Sequence, residues 1–292
     1  MNRRRFGQLM VGGAAGTMLA GAHAQRVNAA AGDRFSVMLW TLEKQAPVER
    51  CIEIVAAAGY QGVELVGEFA KWSATDTRQM MKRMRSLGLV FDAMSGVKAG
   101  FAIAAETDAF LAQLEEQIRW AGVLRCPQII LLSGKRVAGE DQRQTAIENL
   151  KRAAEMAAKS EVEIVIEPID PLENPTIYLT SVSEGFEIVR AVNSKTVKVL
   201  YDFYHEQRSY GNLIEKLEKN VEWVGLVHIA DVPGRHEPGT GEIDYGNIYR
   251  KLAELEYSGG MAMEYYPTGD AETSLKKQRV AAEDALRAAR QA

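Results

Sequence analysis

Residues 163–202 read EIVIEPIDPLENPTIYLTSVSEGFEIVRAVNSKTVKVLYD. The stretch opens on an apolar, β-branched run, Glu163 to Glu167, that ends in a carboxylate before Pro168, and it closes on a second, Lys198 to Asp202, that ends in another carboxylate. Between them Ser181-Val-Ser-Glu184 has the spacing of a capping box and leads into Phe186, Val189 and Val192, three apart on one face of a helix. Strand, helix and strand at this spacing make a crossover unit whose two strands run parallel.

On either side the same unit repeats. Further runs stand at Phe35 to Trp40, Gly62 to Val66, Leu89 to Met94, Gln128 to Ser133, Gly225 to Ile229 and Met261 to Glu264, which makes eight, their starts 27 to 39 residues apart. The intervening segments change to helical period: Ile147, Leu150, Ala154 and Ala157 share one face, and Glu148, Lys151, Arg152 and Glu155 take the other. No Pro/Ser-rich linker divides the series. Eight strands alternating with helices predict a single α/β domain, a (β/α)8 TIM barrel over residues 25–292. A doubly wound open sheet is the alternative, but no strand is followed by a G-x-G-x-x-G turn.

The chain has 292 residues, 47% hydrophobic and 25% charged, a composition that excludes a disordered, collagen-like or disulfide-scaffold protein. Its net charge of −4, with no basic block beyond the first residues, gives DNA or RNA no electrostatic footprint, so no nucleic-acid partner is expected. Residues 1–24 read as a cleavable export signal. Arg3, Arg4, Arg5 and Phe6 precede an apolar stretch from Leu9 to Ala20, and Ala22-His23-Ala24 has the small-x-small pattern of a cleavage site. The apolar run is shorter than the ~20 residues of a membrane span, which argues against an uncleaved anchor. The reading is a twin-arginine signal, with the twin-arginine export machinery as a partner and a periplasmic or secreted mature protein. Cys51 and Cys126 are expected as free thiols, since that route carries folded proteins whose buried thiols stay reduced. A homo-oligomer is compatible with this composition.

In such a barrel the active site lies at the carboxyl ends of the strands. There the last four runs place Glu167, Asp202, His228 and Glu264. Acids that terminate buried apolar strands are costly unless paired or metal-bound. Each alone reads equally as a cap or an ion-pair partner; four strands delivering such groups at one end point to a divalent metal. Three carboxylates and one imidazole form a hard, oxygen-rich set that favours Mn2+ or Mg2+.

Four segments then carry a resemblance: Glu167-Pro-Ile-Asp170, Tyr201-Asp-Phe-Tyr-His205, His228-Ile-Ala-Asp231 with the following Val232-Pro-Gly-Arg-His-Glu-Pro-Gly-Thr-Gly241, and Met263-Glu-Tyr-Tyr-Pro267. Together they resemble the signature segments of the hydroxypyruvate isomerase family, within the xylose-isomerase-like barrel superfamily. The resemblance covers essentially all of residues 25–292 and implies one metal held by Glu167, Asp202, His228 and Glu264, with the two glutamates facing each other across the substrate. It further implies His205 as a substrate-oxygen ligand, Arg235 as a substrate-binding arginine and Glu173 as a substrate-binding or supporting acid, as in ketose 3-epimerases. Two features depart from the pattern. Hydroxypyruvate isomerases carry Gln at the third ligand position, where this chain has His228, the residue of the sugar epimerases, and family members in central metabolism carry no export signal.

The expected activity is isomerisation of a small hydroxy-keto acid and its aldehyde isomer through an enediolate, with Glu167 and Glu264 moving the proton and Glu173 able to share that role. A ketose 3-epimerase, or a related keto-sugar isomerase, is the alternative. A non-catalytic periplasmic ligand-binding barrel is the second. Arg235 reads either as a clamp on a substrate carboxylate or as a loop partner of Glu237 or Glu242. Lys135, after the fourth run, is a second candidate cation, and Trp40 and Tyr201 are candidate aromatic walls. His236 is expected in solvent. A phosphate cradle at Gly239 and Gly241 is rejected because two acids adjoin it, and a trinuclear phosphodiesterase because residues 25–292 hold only three histidines, His205, His228 and His236.

Overall fold

The computed structural model describes residues 33–292; the expected export signal, residues 1–24, lies outside the described residues. Eight parallel strands pair in chain order: β1 (Phe35–Met38), β2 (Gly62–Val66), β3 (Val90–Ser95), β4 (Gln128–Leu132), β5 (Glu163–Glu167), β6 (Val197–Asp202), β7 (Val224–Ile229) and β8 (Gly260–Met263). The last strand pairs back onto the first, Ser36 opposite Ala262, which closes the barrel and excludes the open sheet. Around it run α1 (Val48–Ala57), α2 (Ala74–Leu87), α3 (Thr107–Leu124), α4 (Gln142–Lys159), α5 (Val182–Val192), α6 (Phe203–Ser209), α7 (Leu213–Glu218), α8 (Tyr245–Glu254) and α9 (Ala271–Arg290).

Strand parity sorts the side chains. Ile164 and Ile166, Val199 and Tyr201, Val227 and Ile229, and Met261 and Met263 join the large core between barrel and helices. Their alternates point inward. Met38, Ala93, Ile130, Val165, Leu200 and Leu226 form a separate apolar layer inside the barrel, capped by Trp40. Two residues beyond three of these layer members stand Glu167, Asp202 and His228, so the apolar layer is the floor of the expected site.

Several boundaries shift by a residue or two. Trp40 lies in the 3-10 turn Leu39–Thr41, because β1 pairs with β2 only from Ser36 to Met38. Ser133 and Glu264 stand one residue past their strands. Ser181 caps α5, its hydroxyl accepting the Ser183 N–H at 3.1 Å, but the capping box is not formed: Glu184 instead accepts the Tyr178 hydroxyl at 2.5 Å. The reciprocal box occurs at α2, between Ser73 and Asp76. Cys51 and Cys126 are buried free thiols, each directed at a backbone carbonyl, of Ala46 and Gln128. Among the described residues no helix is long and apolar enough to cross a membrane.

Candidate metal centre and active site

Glu167, Asp202, His228 and Glu264 converge at the carboxyl end of the barrel. All four are buried, and each offers a ligand atom within 4.8 Å of the others. Asp202 and His228 are register partners on β6 and β7, which puts them side by side. His228 Nδ1 lies 2.6 Å from Glu264 Oε2, and Nε2 lies 2.9 Å from Glu64 Oε2. Glu64, in the middle of β2, is fully buried and accepts the Ser36 hydroxyl at 3.0 Å. A carboxylate behind one imidazole nitrogen fixes the ring and turns the other nitrogen towards the centre, the usual support of a metal-binding histidine. The donor set is hard and oxygen-rich, its members are buried together, and the imidazole is braced, so the residues fit a divalent cation.

The charges here are strongly coupled. Burial and the nearby Glu264 push the Glu167 carboxyl up to about 7. Burial acts the same way on Glu264, but Arg235 and His228 outweigh it and hold that carboxyl well below the usual range. Burial disfavours the charged form of His228, yet Glu264 and Glu64 raise it well above an ordinary histidine. Glu264 also accepts the Trp40 Nε1–H at 2.9 Å, whereas the nearest ionic partner of Glu167 is His205 Nε2 at 3.8 Å. Glu264 is therefore fixed by donors and Glu167 is comparatively free.

Arg235 reaches into this cluster and does not pair with Glu237 or Glu242. Its Nη2 donates to Asp202 Oδ2 at 2.8 Å and Glu264 Oε2 at 2.5 Å, its Nε to the Glu264 carbonyl at 3.1 Å, and its Nη1 lies 3.1 Å from both Glu173 Oε2 and His205 Nε2. Glu237 instead accepts from Thr268, and Glu242 from Gln207. Trp40 and Tyr204 flank the guanidinium, their ring centroids 5.7 and 4.8 Å from Cζ. His205 is buried, with Nδ1 2.7 Å from Asp170 Oδ2 and Nε2 facing the cluster. Asp202 caps α6 by accepting the Tyr204 and His205 N–H groups, so the end of β6 also positions the helix that carries His205.

The loop that presents Arg235 is built around Asp231. This buried carboxylate accepts the N–H groups of Val232, Gly239, Gly241 and Ile243 at 2.9 to 3.0 Å. The amides that would cradle a phosphate are thus taken by the protein's own anion. A Cβ on Gly241 would sit 1.9 Å from the Val232 carbonyl oxygen. Gly241→Ala is accordingly expected to shift the loop and reduce kcat/KM at least ~10-fold with metal content unchanged, since small misplacement of a binding group is enough for such losses. Elemental analysis beside steady-state kinetics checks this.

Three expectations are corrected. Lys135 is exposed, its backbone bridged to Ile177, and among the described residues its side chain makes no hydrogen bond or ion pair with the cluster. Tyr201 is no pocket wall; flanked by inward Leu200 and Asp202 it must point outward, where it packs on Phe186 and Phe203 and donates to the Leu213 carbonyl. His236 is half-buried and its Nδ1 donates to the Tyr266 carbonyl at 2.9 Å. Unanticipated were Glu64, Asp170, Tyr204 and Arg208. An acid inside the apolar run Gly62-Val-Glu-Leu-Val66 was the available signal for Glu64.

Residues 52–291 match the family model described as xylose isomerase-like TIM barrel. The chain is 32% identical to the hydroxypyruvate isomerase of Escherichia coli (strain K12) over 188 residues, 63% of this chain and 73% of that protein. It is 31% identical to the 2-oxo-tetronate isomerase of Cupriavidus necator over 223 residues, 73% and 84% of the two chains. Among solved structures, one described as an AP endonuclease, family 2, from Brucella melitensis superposes with a TM-score of 0.77 at 27% identity, covering 83% of this chain and 96% of that one. An L-ribulose 3-epimerase superposes with a TM-score of 0.75 at 19% identity, covering 89% and 96%, a likeness of fold. With the matching barrel and relatives that are isomerases, the chain belongs to the xylose isomerase-like TIM barrel family and, within it, to the hydroxypyruvate isomerase family.

Proposed function

We propose that this protein is a divalent-metal-dependent isomerase that interconverts a small hydroxy-keto acid and its aldehyde isomer. The observation that carries the reading is the buried convergence of Glu167, Asp202, His228 and Glu264 above the apolar floor of the barrel. These four residues would hold the metal, Mn2+ or Mg2+ by donor hardness. When bound, it supplies a Lewis acid that polarises a carbonyl and acidifies the adjacent C–H. Glu167, the less engaged carboxylate, takes that proton; Glu264, oriented by Trp40 and Arg235, serves the other face. His205, aligned by Asp170, directs Nε2 at a substrate oxygen, and Trp40 and Tyr204 exclude water from one wall.

The test is exchange of substrate C–H with solvent deuterium, on a panel of keto acids and ketoses, with and without chelator. Metal-dependent exchange and isomerisation of a keto acid support the reading; absence of exchange on every substrate removes it in favour of a ligand-binding barrel. A ketose 3-epimerase is the second reading, favoured by His228 at a position where the resembled isomerases carry Gln. Epimerised ketose as the preferred product would select it. The endonuclease description of one similar structure is not carried over, because only His205 and His228 of the three histidines in residues 25–292 reach the site.

We further propose that residues 1–24 direct twin-arginine export to the periplasm or medium. Replacing Arg3, Arg4 and Arg5 by Lys should retain the protein in the cytoplasm at full length, whereas the wild type should appear outside it with residue 25 at its N-terminus. Fractionation with N-terminal mass spectrometry reads this directly, and unchanged location of the Lys variant would reject it.

A further inference from the structure

We propose that Arg208 and Arg235 form a carboxylate-recognition subsite in which Glu173 stands in for the carboxylate of the substrate. The inference rests on the keto-acid reading above and adds the groups that would select an acid over a neutral ketose.

Both guanidinium groups converge on one oxygen. Arg235 Nη1 is 3.1 Å from Glu173 Oε2, and Arg208 Nη1 is 3.7 Å from the same atom. One aromatic ring holds the pair together: the Tyr204 centroid lies 4.8 Å from Arg235 Cζ and 4.9 Å from Arg208 Cζ, and the Tyr204 hydroxyl accepts from Arg208 Nη1 at 2.8 Å. Two cations fixed on one ring and aimed at one carboxylate oxygen are a built anion site.

The anions around them differ in what holds them. Asp170 is fully buried, accepts from Arg208 at 3.1 Å and the His205 ring at 2.7 Å, and also accepts the backbone N–H groups of Leu172 and Glu173. Asp202 and Glu264 lie in the metal cluster. Glu173 is the exception: its side chain is 38% exposed, and it rides on a loop whose Leu172 is 71% exposed. Arg235 spends its remaining donors on Asp202, Glu264 and His205, so its contact with Glu173 is the one a solute can replace. On Arg208, Nη1 alone makes hydrogen bonds among the described residues, to Asp170 and the Tyr204 hydroxyl, and it is the atom nearest Glu173. Exchange of one carboxylate for another preserves the charge balance of a buried guanidinium; a neutral polyhydroxy ketone offers no such exchange.

The competing assignment makes Glu173 an acceptor for substrate hydroxyls. The two differ in sign. As a stand-in, Glu173 competes with an acidic ligand, and its removal tightens binding; as a hydroxyl acceptor, its removal weakens binding whatever the ligand charge.

D-glycerate and its uncharged amide, glyceramide, are suitable probes, titrated calorimetrically into the Mn2+-supplied protein. The wild type should prefer glycerate. Glu173→Ala should tighten glycerate at least ~3-fold relative to glyceramide, and Arg208→Met should weaken glycerate by about tenfold relative to it, the scale of one charge-assisted hydrogen bond. Equal affinity of the wild type for both probes, weakening of both by Glu173→Ala, or an unaltered ratio in Arg208→Met would each overturn the subsite. Circular dichroism confirms folding, and the partly exposed Glu173 variant carries the test if Arg208→Met does not fold. Turnover measured on the same preparations separates the two readings: discrimination through these residues without turnover of any keto acid keeps the subsite and rejects the isomerase, while keto-acid turnover with unchanged discrimination rejects the subsite alone.

Discussion

Glu167→Gln is expected to lower kcat by at least ~10², within the 10² to 10⁴ that a positioned acid or base typically contributes. The substitution keeps size and an oxygen donor, so much of the metal should remain, while the group that accepts a proton is gone. Loss of substrate exchange with solvent deuterium should accompany the loss of turnover, because Glu167, with no ionic partner nearer than His205 at 3.8 Å, is the carboxylate free to take the first proton. Glu264→Gln should differ in kind. That carboxylate accepts from Trp40 and Arg235 and lies 2.6 Å from the His228 ring, so the variant should lose turnover to a similar extent but also bind metal less tightly. If exchange survives in Glu264→Gln while isomerisation stops, the order of the two glutamates is as proposed. Normal turnover in both Gln variants with metal bound would move the acid-base pair elsewhere, to Glu173 and His205.

The strands were legible because each carries an apolar run of the right length, and the four clustered candidate ligands because they stand at the carboxyl ends of four such runs. Parity adds more than the strand count. Leu200 and Asp202 share a face, as do Val165 with Glu167 and Leu226 with His228, so the position two residues after an inward apolar side chain opens onto the site. The same rule assigns Tyr201 outward, where a reading by residue type made it a pocket wall. Glu64 shows what position alone cannot deliver: it stands mid-strand rather than at an end, and its meaning appears only when β2 and β7 face each other across the barrel and bring it to His228.

Loops were less legible, for a physical reason. Arg235 was a candidate from its motif, but its partners lie 29 to 62 residues away in sequence, on β6, after β8 and on the loop after β5, and no local pattern encodes them. Lys135 had the same local credentials, a cation just past a strand, yet it is exposed and its side chain makes no hydrogen bond or ion pair with the cluster among the described residues. Ser181 and Glu184 satisfy the spacing of a capping box, yet Glu184 has a better partner in Tyr178, a phenol supplied by the incoming loop. For Arg235 the deciding contacts are long-range, and for Glu184 a phenol six residues upstream outweighs the local rule.

Loss of the centre itself should be the largest effect. His228→Ala removes one ligand and leaves Glu64 and Glu264 buried without the imidazole between them. Breaking one partner out of a buried charged cluster costs ~3 to 5 kcal/mol, so the variant should be markedly less stable to urea as well as metal-poor. Asp202→Ala should be metal-poor with a smaller stability loss: it forfeits the cap on α6, about 1 kcal/mol, and the Arg235 contact, but strands no second carboxylate against it. Elemental analysis after dialysis should show about one equivalent of divalent metal in the wild type and a loss well beyond the 10- to 100-fold weakening typical of a supporting residue in either variant. His228→Gln supplies the control. It keeps a polar side chain that can donate to Glu64 and offer an oxygen to the centre, so it should recover stability and part of the metal that His228→Ala loses. A wild type that is fully active without metal, or a His228→Ala protein that retains its full equivalent, would refute the four-residue centre; loss of metal in both Ala variants with recovery in Gln would tie it to these side chains rather than to general unfolding.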